Sequence, residues 1–164
     1  MSAIIIDPNR PKSLALETCR ANAIDNERLY EISPSETNSF RDFDRDYGGN
    51  VHRRSNPTPH YNCHGLTFAS RRTGIFENEV LQQILRDDGY LEVARDSVLP
   101  GDVILYFDEY GGCEHSGIVI SRPQADNLYV PWVCSKWGKY AELLHLANDC
   151  PYSFANVKYY RVHS

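Results

Sequence analysis

The stretch Leu99-Pro100-Gly101-Asp102-Val103-Ile104-Leu105-Tyr106-Phe107, then Gly111-Gly112, then His115-Ser116-Gly117-Ile118-Val119-Ile120 decides the fold. Pro100-Gly101 is turn chemistry. The aliphatic and aromatic run from Val103 to Phe107 reads as a strand. The glycine pair links it to a second apolar run, which predicts a β-hairpin. Downstream, a polar turn over residues 124–127 leads into an expected third strand over 128–134. A short helix is expected over 140–146 and a last strand over 157–162. Upstream, Phe76, Val80, Leu81, Ile84 and Leu85 fall at helical spacing, and Asp87-Asp88-Gly89 closes that helix. Cys63, Leu66, Phe68 and Ala69 form the buried face of an earlier helix, ending near Thr73-Gly74. Helices first and antiparallel strands second give an α+β domain.

The N-terminal third is more irregular. A brief helix is expected over residues 23–32, ended by Ser33-Pro34. Residues 46–61 carry Gly48-Gly49, Pro57 and Pro59 and read as a loop. A loop that long is often functional.

With 164 residues the chain reads as a single domain, with residues 1–45 an N-terminal extension and 46–164 the core. Net charge is −5, and Arg53-Arg54 and Arg71-Arg72 are only short basic pairs. A nucleic-acid partner would need a basic stripe. No apolar run reaches membrane-spanning length, and the N-terminus lacks the charged start of a signal peptide. The expected location is therefore cytoplasmic, with export by a non-classical route as an option. The five cysteines (19, 63, 113, 134 and 150) are odd in number and lack a CxxC pair, which fits free thiols in a reducing compartment. His52, His60, Cys63 and His64 with Cys113 or Cys150 offer zinc-ligand types. Their spacing is cramped, so no metal and no cofactor is expected.

Tyr61-Asn62-Cys63-His64-Gly65-Leu66 puts a cysteine where a loop becomes a helix. Free N–H groups there favour an anion, so a thiolate gains. The same N–H groups can hold the oxyanion of a tetrahedral intermediate. Among six histidines, His115 stands out because it opens an apolar strand that can hold an imidazole beside a helix start. His64 is adjacent to Cys63, and consecutive helical residues do not face each other.

Asn62-Cys63-His64-Gly65-Leu66 resembles the Asp-Cys-Ser-Gly-Leu motif of the NlpC/P60 peptidases. Residues 99–104 resemble that family's Leu-Pro-Gly-Asp-Leu-Val segment, and His115-Ser116-Gly117-Ile118-Val119 its His-Val-Gly-Ile-Tyr strand. The order is the family's own, and CHAP amidases share the layout. The resemblance implies a papain-like fold with the nucleophile at the start of a helix packed on an antiparallel sheet. It implies a bacterial cysteine peptidase or amidase: Cys63 attacks, His115 is the base, and an amide is cleaved through a thioester. A peptide or peptidoglycan-like substrate follows by the same resemblance. Tyr47-Gly48-Gly49 resembles the family's upstream oxyanion element. Asn62 stands where the family has aspartate, and with Tyr47 and Lys136 it is expected to contact the oxyanion or the substrate. The residue orienting His115 is the gap: Ser135 is the first choice and His145 the second. Lys136 suits a neutral partner or a substrate carboxylate. An acyltransferase on the same scaffold and an inactive binding module remain as alternatives. An inhibitor or immunity protein is the expected partner of an effector form.

Overall fold

The computed structural model describes residues 12–122 and 130–162. Three helices pack with a seven-stranded antiparallel sheet in an α+β fold. The helices are α1 (Pro34–Tyr47), α2 (Cys63–Phe68) and α3 (Asn78–Asp87). The strands are β1 (His52–Arg53), β2 (Tyr90–Val93), β3 (Val103–Phe107), β4 (Cys113–Ser121), β5 (Trp132–Lys136), β6 (Glu142–Leu146) and β7 (Val157–Val162), in sheet order β1-β6-β5-β4-β3-β7-β2. The expected turn over 124–127 and residues 128 and 129 of the expected third strand lie outside the described residues. Among the described residues no helix is long and apolar enough to cross a membrane.

Strand alternation sorts the core into two layers. Ile104 and Tyr106 of β3, Val119 of β4, Val133 of β5 and Leu143 of β6 face one layer, closed by Trp137, Tyr140 and the α1 rings Phe40 and Phe43. Val103, Leu105 and Phe107 face the other layer, where Val80, Leu81, Ile84 and Leu85 of α3 cover them. β4 carries a bulge: Tyr106 pairs with His115 but Phe107 with Cys113, so Glu114 is left over. Cys113 thus joins the α3 layer, while the His115 ring meets Tyr106 in the other.

Three expectations need correcting. Residues 23–32 are not helical; Ala23, Glu27 and Arg28 make isolated antiparallel bridges to Glu17, Gly74 and Lys12. Their short polar stretch gains more from pairing with the body than from an unsupported helix. Ser33-Pro34 begins a helix rather than ending one. Ser33 accepts from the Glu36 N–H, the Glu36 carboxylate accepts from the Ser33 N–H, and Pro34 fills the first turn. α1 therefore runs into the expected 46–61 loop as far as Tyr47. Residues 142–146 form strand β6, where a helix was expected. Leu143 and Leu144 point into opposite layers, so burial on both faces overrides helix propensity.

Candidate active site

Asn62 sets the start of α2. Its side-chain oxygen accepts from the Gly65 N–H at 2.9 Å and the Ile75 N–H at 3.1 Å, while its amide nitrogen donates to the Ile75 carbonyl at 2.6 Å. These bonds commit Asn62 to capping α2 and tying it to the 75 segment; the sequence had offered it as a substrate contact. Gly65 is required by close approach, since a Cβ there would lie 1.9 Å from the Thr73 carbonyl oxygen. α2 then packs against β4 and β5.

Cys63 is buried at the first position of α2. Burial pushes its thiol up to about 11, and the nearby backbone N–H groups at the start of α2 and at Ser116 offset this only in part. These donors favour an anion at sulfur. Ser116 is also the hub of a buried network. Its Oγ lies 2.9 Å from His64 Nδ1 and 3.0 Å from Thr67 Oγ1, and Thr67 donates to the Cys63 carbonyl at 2.9 Å. His64 is held down to about 4 by burial, partly offset by the nearby Cys113 backbone. Thr67 gives its hydroxyl proton to the Cys63 carbonyl, so Ser116 donates to Thr67 Oγ1 and its oxygen accepts from His64 Nδ1–H. Two hydroxyls thus link His64 to the Cys63 carbonyl, although adjacent helical residues do not face each other. Moving the thiol proton to His64 would cost on the order of 10 kcal/mol before mutual attraction, so this pair rests neutral. The link spans 52 residues, and sequence spacing carries no sign of it.

β4 turns His115 away from Ser116, into the layer of Tyr106. Its ring is fully buried, and among the described residues neither nitrogen has a hydrogen-bond partner. The expected bond to the Cys63 thiol is therefore not made. Each buried unsatisfied polar atom costs about 1–3 kcal/mol. Burial holds His115 well below its ordinary value, with His145 and His64 adding to the effect. The ring stacks on Tyr152 at 3.8 Å between centroids and 6° between planes.

Ser135 shares the His115 layer but is engaged elsewhere. Trp137 Nε1 donates to its Oγ at 3.2 Å, and Oγ lies 2.7 Å from His145 Nε2. His145 Nδ1 sits 2.7 Å from the Leu146 carbonyl, so Nδ1 carries the proton and Nε2 accepts from Ser135. Neither Ser135 nor His145 orients His115 here. Tyr47 ends α1 and packs edge-on against Trp137 at 5.1 Å, within the aromatic layer. That contact places its ring in the core packing, whereas the sequence had assigned it to the oxyanion.

Lys136 points to the α2 side and is fully buried. Its Nζ donates to the carbonyls of Gly138 (2.8 Å) and Tyr140 (3.2 Å) and lies 5.0 Å from the centre of the Tyr61 ring. Burial lowers it to about 8, partly offset by Glu142 and Cys63. Glu142, also buried, accepts from the Tyr61 hydroxyl at 2.5 Å and from Arg71 Nε and Nη2 at 2.6 and 3.1 Å. Burial works to raise the Glu142 carboxyl, but the bonds from Arg71 and Tyr61 outweigh it and hold it low. The sequence reading missed Ser116, Tyr152 and this Tyr61–Glu142–Arg71 group. Among the described residues no group of three His, Cys, Asp or Glu side chains is arranged to hold a metal ion.

No family model, no curated protein and no solved structure matches the chain.

Proposed function

We propose that this chain is a papain-like cysteine hydrolase that cleaves an amide bond in a peptide or peptidoglycan-like substrate through a thioester on Cys63. The observation that carries this reading is the position of Cys63, buried at the first residue of α2 where that helix packs on β4. Free N–H groups at a helix start favour negative charge on such a sulfur. The three motifs that resemble NlpC/P60 peptidases also lie together: α2 packs on β4, and β4 pairs with β3.

In the proposed reaction, the Cys63 thiol gives up its proton and attacks the amide carbonyl; His115 is the base the resemblance implies, and it must leave the Tyr106 layer to take that proton. The amine leaves with that proton, and water then hydrolyses the thioester, restoring the thiol. An acyltransferase would instead pass the acyl group to an amine or alcohol.

A second reading, an inactive papain-like binding module, draws on one observation. The Cys63 thiol is pushed up to about 11, and both His115 nitrogens lack partners. Digestion of bacterial peptidoglycan, read by mass spectrometry, separates the two. Hydrolysis predicts amide-cleaved fragments that vanish with Cys63→Ala. The binding module predicts intact peptides from both proteins, with binding retained by the variant.

A further inference from the structure

We propose that Tyr152 is a displaceable cover over His115, and that the described structure is the covered, resting state of the site. This rests on the reading of His115 as the catalytic imidazole.

The first support is geometric. The Tyr152 ring lies parallel to His115 at 3.8 Å, and His115 has no exposed surface. Tyr106 meets the same imidazole at 5.2 Å, but it is anchored through its hydroxyl to the Ala147 carbonyl at 2.8 Å. Tyr152 has no such anchor. Its ring is partly exposed, and no side-chain hydrogen bond holds it among the described residues.

The second support is the tether. The segment carrying Tyr152 is fixed at its ends. The Ala147 N–H donates to Pro131, the Asp149 N–H to Leu146, and the Asn156 carbonyl accepts from Phe107. Between residues 150 and 154 no backbone-to-backbone bond is made among the described residues; the local contacts include Cys150 Sγ to the Ala147 and Tyr152 carbonyls, both at 3.7 Å, the Ala155 N–H to Ser153 Oγ at 3.3 Å, and the Arg95 guanidinium over the Phe154 ring at 4.9 Å. Such a span moves without breaking a ladder.

The third support is space. A groove of about 210 Å³ borders Tyr152, lined by Phe40, Phe43, Trp137 and Lys139 among others. It gives the displaced ring an apolar place to lie. Swinging out would also let water or substrate reach the two unpaired His115 nitrogens.

Diethyl pyrocarbonate acylates accessible neutral imidazoles, and peptide mapping locates the adducts without needing activity. In the unaltered chain the exposed His52 should react and His115 should not. In Tyr152→Ala, His115 modification should rise about tenfold or more, the factor expected when a stacked ring is lost. His145, buried in the same layer, should stay protected in that variant. Tyr152→Phe keeps the ring and should behave like the parent. Three results would overturn the proposal. These are His115 reacting as fast as His52 in the parent, His115 staying protected in Tyr152→Ala, or His145 reacting together with His115. The last would make Tyr152 a general core support. A chain that cleaves no amide but passes this test would sink the hydrolase reading and leave the cover standing.

Discussion

Asn62→Ala should destabilise the chain by about 3 kcal/mol, and the reason lies in where its bonds go. The substitution removes the cap on the Gly65 N–H and both bonds to the Ile75 backbone. Loss of a side-chain cap costs about 0.5–2 kcal/mol. Ile75 is fully buried, so its orphaned N–H and carbonyl cost about 1–3 kcal/mol each. Asn62 itself is only half-buried, and water entering its place trims the sum toward the lower part of that range. Urea unfolding followed by the fluorescence of Trp132 and Trp137 measures the loss, which should appear as a lower midpoint with an unchanged slope. The same loss should lower the melting temperature by roughly 6–12 °C. Asn62→Asp keeps the acceptor and loses only the donor to Ile75, so it should cost less than half as much. If Asn62→Ala unfolds within 0.5 kcal/mol of the parent, the capping account is wrong, and Asn62 returns as a substrate contact.

Gly65→Ala forces a methyl against the Thr73 carbonyl; it should cost about 3 kcal/mol or prevent folding, read by circular dichroism and thermal melts. Lys136 sits at about 8 against an ordinary 10.5, so between those values the unfolded chain binds more protons and stability rises with pH. Lys136→Met should abolish that rise, roughly 3 kcal/mol at most, when the pH profiles of variant and parent are subtracted. Glu142 is held below its ordinary 4.5; its ion pair therefore stabilises the fold above that pH and loses the effect as pH falls through the lowered value. Glu142→Gln should flatten this acid limb, and an unchanged limb would show that Arg71 and Tyr61 do not bind a carboxylate in solution.

Elements with strong local patterns were legible in the sequence. The 3.6-residue spacing of Val80, Leu81, Ile84 and Leu85 gave α3, and the Gly111-Gly112 link gave the β3–β4 hairpin. Ser33-Pro34-Ser35-Glu36 was read backwards. Proline both stops and starts helices, and only Glu36 three residues after Ser33 marks a start here. β6 was misread because a strand buried on both faces has no two-residue alternation to betray it. In the site, the cysteine at a helix start could be read locally. Its partners could not. Ser116 reaches His64 because α2 packs on β4, and Tyr152 reaches His115 because an irregular segment folds back over the sheet. The bulge that leaves Glu114 unpaired sends Cys113 and His115 to different layers, and no local pattern announces it.

The central claim is that Cys63 accepts an acyl group. Incubation with an activated ester of a short peptide, acid quenching and peptide mapping test it directly. The account predicts an acyl adduct on Cys63 that appears and then decays as water hydrolyses it. It also predicts a faster appearance in Tyr152→Ala. An adduct confined to the exposed Cys19, with Cys63 unlabelled in both proteins, would contradict it.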